Sequence, residues 1–105
     1  MVMAKKLKPT AIVKSTAEAY AKGVMTTGRK QKKIAKDTSM LPAERQLYVD
    51  REHQVANEIA PQTVRSAIQF AAKKGVSLRK VKTAYYTGAV KGVVKGAVEN
   101  MRNRG

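Results

Sequence analysis

The sequence predicts an all-α fold: a basic N-terminal helical arm, then a small bundle of helix hairpins with a long Ala/Gly-rich C-terminal helix. Strand-like alternation is missing from the chain, and apolar residues recur instead at helical spacing between proline and glycine stops. The apolar residues are also small, with 15 Ala and 12 Val against 4 Leu, 4 Ile and 1 Phe among 105 residues. A core of that kind offers little surface per residue, and small domains are marginal already. Oligomerisation, or folding coupled to a partner, is therefore expected to supply part of the stability.

Pro9 and Thr10 open a first helix, "TAIVKSTAEAYAKGV", whose face collects Ile12, Val13, Ala17, Tyr20 and Val24. "TTG" at 26–28 is expected to break it. The basic segment "RKQKKIAK" follows, with only Ile34 and Ala35 to bury, and reads as the end of an arm over 1–38 that orders on its ligand. "DTSMLP" is a loop, and Pro42 suits the first turn of a second helix, about 42–59, that carries nearly all the acids. Pro61 should end that helix and open a third, "PQTVRSAIQFAAKK", with Val64, Ala67, Ile68 and Ala71 on its inner face. Gly75 fits a left-handed C-terminal cap, and Ser77 can cap a last helix running to about Asn103, completing a bundle over 39–105.

Charge is segregated along the chain. Residues 1–38 hold ten Lys/Arg and two acids, residues 39–72 three and four, and residues 73–105 nine and one, for a net charge of +15. A neutral middle between two basic ends is expected if the middle meets protein and the ends meet a polyanion, of which nucleic acid is the leading case. The chain has no cysteine, which excludes disulfides and thiolate metal sites. No apolar run approaches the roughly 20 residues needed to cross a bilayer. The opening "MVMAKKLKP" carries lysines without an apolar stretch after them, so no secretory leader is expected. His53, the only histidine, lies on the acidic helix with too few possible ligands around it for a metal site, and reads as a surface residue. No nucleophile has an evident base beside it, and no phosphate-cradling glycine loop occurs. Catalysis, a small-molecule substrate and a cofactor are accordingly not expected.

Two motifs stand out. In "FAAKKGVSLRKVKTAYY" (70–86), Ala71 lies four before Gly75, Val76 and Ser77 follow, and Val81 lies six after the glycine. This stretch resembles the helix-turn-helix core of DNA-binding repressors. The resemblance implies a close helix crossing at Ala71, a positive-φ turn at Gly75, and Arg79, Lys80, Lys82 and Thr83 facing DNA. Lys74 stands where that pattern is usually apolar, and any αα-corner with a glycine cap would look alike. In "TGAVKGVVKGAVEN" (87–100), Gly88, Gly92 and Gly96 fall within one strip of a helix at about 100° per residue. Lys91 and Lys95 flank the strip. A broad apolar arc holds Tyr86, Ala89, Val90, Val93, Val94, Ala97, Val98 and Met101. The bare strip can receive either another helix backbone or a phosphate backbone held by the lysines and Thr87.

The expected function is a non-catalytic structural protein that coats or packages nucleic acid, most simply double-stranded DNA, through backbone contacts and self-association into a dimer or helical polymer. Candidate contacts are the arm cluster Arg29, Lys30, Lys32, Lys33 and Lys36, with Lys14 and Lys22 on the same helix. Lys73, Lys74, Arg79, Lys80, Lys82, Thr87, Gly88, Lys91, Gly92, Lys95, Gly96 and Arg102 make up the second set. The arm "AIVKSTAEAYAKGVMTTGRKQKKIAK", the proline-punctuated helices and the Ala/Gly-rich basic helix together resemble, in organisation, the coat proteins of filamentous archaeal DNA viruses. That resemblance implies small all-helical subunits that wrap the duplex in a virion, with arm lysines and the glycine strip facing DNA. A cellular nucleoid protein, a dimeric helix-turn-helix regulator using 67–86, and an RNA-associated protein of ribosomal type remain alternatives, all of them without a membrane span.

Overall fold

The computed structural model describes residues 8–102, so the opening residues read for a leader, together with Asn103 and Arg104, lie outside the described residues. Four α-helices and one π-helical turn account for nearly all of it: α1 (Pro9–Ala35), α2 (Pro42–Gln54), the π turn Val55–Ile59, α3 (Ala60–Lys73) and α4 (Leu78–Arg102). No strand occurs among the described residues.

The expected break at 26–28 does not occur, and α1 runs unbroken for 27 residues. Thr26 is fully buried, with its hydroxyl donating to the Lys22 carbonyl at 3.0 Å. The Thr27 hydroxyl reaches the Glu52 carbonyl, and Gln31 Nε2 donates to the Val49 carbonyl at 3.2 Å. These ties to α2 hold the "TTG" segment helical, tertiary contact overriding weak local propensity. The N-terminal segment is therefore no detached arm. α1 lies at the centre of the molecule, in contact with α2, the π turn, α3 and α4.

Pro61 does not end a helix either. Proline lacks an N–H and its ring crowds the carbonyl four residues back, which would kink a regular helix. Here the preceding turn widens: the Ala60 N–H bonds to the Val55 carbonyl, five residues back. The π turn absorbs the proline, and α2, the turn and α3 form one continuous rod. The molecule is thus three rods, with α1 up, α2–α3 down and α4 up.

The corner at 74–77 forms as read. Gly75 adopts φ +80°, its N–H bonds to the Ala72 carbonyl and the Val76 N–H to the Ala71 carbonyl, which together make a Schellman cap. Ala71 is fully buried and joins Val13, Ala67 and Val81 in the main core cluster, with Ile12, Ile68, Val76, Ala84 and Tyr85 packed around it. The inner face expected for α3 is correct at Val64, Ala67 and Ala71. On α1, Val13 and Ala17 are buried as expected, Ile12 and Tyr20 are half-buried, and Val24 is exposed. α4 meets α3 only near this corner and does not reach α2, so the three rods form an open layer rather than a closed bundle.

Candidate nucleic-acid interface

The seam between α1 and α4 sets the geometry of the basic surface. The two helices run parallel: Gly88 faces Lys14, Gly92 faces Glu18 and Ala21, Gly96 faces Lys22 and Met25, and Asn100 faces Met25 and Arg29. All three glycines are buried. A Cβ added at Gly88 would collide with the Lys14 carbonyl oxygen, and one at Gly92 with that of Glu18. The glycine strip is therefore filled by the chain's own backbone. Gly88, Gly92 and Gly96 have no room for a phosphate, which corrects their place among the candidate contacts. Of the two backbones the strip could receive, it receives a helix.

The seam's two halves differ in charge. Toward the C-terminal end, acids neutralise it. Lys95 pairs with Glu18 at 3.1 Å, while Glu99 takes Arg29 at 3.0 Å and Lys22 at 3.4 Å. Arg29 Nε also donates to Asn100 Oδ1, and Asn100 Nδ2 donates to the Met25 carbonyl at 2.8 Å. Partial burial pushes the Glu99 carboxyl up, but the hydrogen bond from Lys22 and the charges of Lys22, Lys30 and Arg29 outweigh it and leave its pKa below the ordinary value. Lys22, Arg29 and Lys95 are thus occupied within the molecule.

The N-terminal half has no such neutralisation among the described residues. Lys14 on α1 and Lys91 on α4 approach within hydrogen-bonding reach of each other. That bond from Lys91, then the repulsion between the two charges, holds the Lys14 ammonium below its ordinary pKa, and Glu18 pulls back too weakly to restore it. Beside the pair opens a groove of about 680 Å³, lined by Thr10, Lys14, Arg79, Lys80, Thr83 and Thr87 among others. The Thr83 and Thr87 hydroxyls donate to the carbonyls of Arg79 and Thr83, so their oxygens still offer lone pairs rather than protons. No carboxylate among the described residues lines this groove.

Known protein families, curated proteins and solved structures were compared with the chain, and none matches. The surface must be read from its own chemistry.

Five of the candidates therefore come together here: Lys14, Arg79, Lys80 and Thr87 in the groove, with Lys91 beside it. Lys82 is exposed on α4 but does not line the groove. Lys30, Lys32, Lys33 and Lys36 are exposed on the last turns of α1, at the other end of the molecule. Arg102 lies at that same end, beside Lys22 and Lys95. Lys73 and Lys74 are exposed at the α3–α4 corner, with Lys74 Nζ 5.5 Å from the Phe70 ring centre. Thr10 and Thr83 complete the groove. Thr83 appeared in the sequence only through the helix-turn-helix resemblance, and Thr10 only as a helix start. His53 is exposed, 3.3 Å from Asn57 Nδ2. No helix among the described residues is long and apolar enough to cross a membrane.

Proposed function

We propose that this chain is a non-catalytic nucleic-acid-coating protein, in the manner of a virion coat or nucleoid subunit, that binds the phosphate backbone of duplex DNA. The observation that carries the reading is the acid-free groove at the N-terminal end of the α1–α4 seam. Lys14 and Lys91 lie close together beside it, and Arg79 and Lys80 extend the same positive surface along α4. A phosphate between Lys14 and Lys91 would offset their mutual repulsion. The exposed lysines at 30–36 supply a second contact region at the far end of α1. Asn100, the residue best suited to adenine on α4, is committed to Arg29 and Met25.

Titration against unrelated duplex sequences at two salt concentrations tests the proposal. Affinity should be indifferent to sequence and fall with a log–log slope near −0.9 for each phosphate neutralised. The α3–α4 corner favours a second reading, a sequence-specific regulator, because its turn carries the Gly75 cap, with Ala71 and Val81 packed in one cluster, that the helix-turn-helix resemblance implies. A strongly preferred short site would favour that reading over coating. A preference for RNA of equal length would move the assignment to an RNA partner.

A further inference from the structure

Two rod surfaces carry exposed apolar side chains. On α4, Tyr86, Val90, Val94 and Met101 are all more than half exposed, and Val93 and Val98 are exposed beside them. On the α2 rod, Leu47, Tyr48, Val55 and Ile59 are likewise exposed, and they line an open groove of about 590 Å³ in which Glu44 and Asp50 outnumber one base, Arg51. Two apolar faces on one small molecule exceed what scattered surface hydrophobes explain. α1 stands between the rods that carry them, so one copy cannot close the two faces on each other.

Their charges are complementary. Residues 42–59 hold four acids against two arginines, while residues 78–102 hold six basic residues against one acid. Among the described residues, no ion pair engages Glu44, Asp50, Glu52 or Glu58. The valine face of α4 has Lys82 on one flank and Lys91 and Lys95 on the other, by helical spacing.

We propose that the valine face of α4 from one copy docks into the acidic α2 groove of a second copy of this chain. Such a contact uses a different patch on each partner. Each copy in a pair keeps one face free, an α2 groove on one and an α4 face on the other, so the arrangement propagates as an open, head-to-tail array rather than closing as a two-fold dimer. The proposal deepens the coating reading by naming its subunit contact, and its test omits nucleic acid so that either can fail alone.

Two variants block one face each: Val90→Glu with Val94→Glu sets acid against the acidic groove, and Leu47→Lys with Val55→Lys sets base against basic α4. All four positions are exposed, so helix content by circular dichroism should be retained. In sedimentation velocity without nucleic acid, wild-type chain should form concentration-dependent oligomers, and each variant alone should associate at least about 100-fold more weakly. Mixing the two variants should restore association, because each still carries one intact face. A wild-type chain that stays monomeric at high concentration would overturn the proposal. So would an α2 variant that dimerises alone, which is the result expected of a two-fold α4–α4 contact. Should either variant misfold, cysteine placed at Leu47 in one preparation and at Val94 in another decides the matter, since the chain has no native thiol. A short bis-maleimide should join 47 to 94 in the mixture, and predominant 94-to-94 linkage would overturn the head-to-tail contact.

Discussion

Gly88, Gly92 and Gly96 lie buried under α1, whereas Val90, Val94 and Met101, on the other side of the same helix, lie against solvent. The usual relation between apolarity and burial is inverted along α4. The face without side chains is the inner one because it lets two backbones approach, and close approach brings many small contacts together along the whole seam. The face rich in valine is left outside because neither α2 nor α3 reaches it. Shape selects the intramolecular partner, and the apolar surface is left exposed.

The largest effect should come from filling the seam. Gly92→Leu forces a side chain into the Glu18 carbonyl and the Ala21 side chain, and a helix backbone cannot step aside locally. Overpacking of this kind costs about 1–3 kcal/mol and occasionally more. We expect the upper end or outright failure to fold, read by thermal unfolding. Next in size is the groove. Lys14→Ala combined with Lys91→Ala should reduce the salt slope of duplex binding by roughly 1.8, and weaken binding at 0.1 M salt roughly 50-fold. Folding should be unharmed, since a repulsive pair is removed. An unchanged slope would exclude the groove as a phosphate site.

Smaller effects sharpen the same contrast. Gly23 on α1 has open space where a Cβ would stand, with nothing within 4 Å, unlike the seam glycines. Gly23→Ala should therefore stabilise by up to about 1 kcal/mol, the ordinary helix gain, measured by chemical denaturation. The pH response separates the two seam halves. Glu99 titrates below its ordinary range when folded, so its contribution is present above the unfolded value and is lost as pH falls through the folded one. Lys14 is also depressed, but as a base, so the fold gains stability as pH rises through its lowered value toward that of a free lysine. Nuclear magnetic resonance titration of both side chains checks the two directions. Phosphate or duplex should return the Lys14 titration toward the ordinary lysine value.

Much of the fold was legible in the sequence, and the departures share a cause. The four helices, the Gly75 turn and the inner face of α3 follow from local signals: spacing, a glycine cap and proline at first turns. The continuity of α1 through 26–28 and of the α2–α3 rod through Pro61 does not. It depends on Thr27 and Gln31 reaching α2, and on a widened turn at Val55–Ile59, neither of which a local pattern contains. The glycine strip could be located from spacing alone, but its occupant required knowing that α1 runs parallel to α4. The same holds for the site. The lysines were legible individually. That Glu18 and Glu99 would silence one end of the seam, and leave Lys14 and Lys91 facing each other at the other, follows only from the register between two helices some seventy residues apart in sequence.

α4 packs on α1 through its glycine face and leaves its valine face exposed. The thermal midpoint of Gly92→Ala, measured beside that of Val94→Gln on dilute protein, tests this most directly. Gly92→Ala, the smaller change and the better helix former, should lose stability, each 1 kcal/mol appearing as about 4–8 °C. Val94→Gln should stay near the wild-type midpoint. A wild-type midpoint for Gly92→Ala together with a clear fall for Val94→Gln would contradict it.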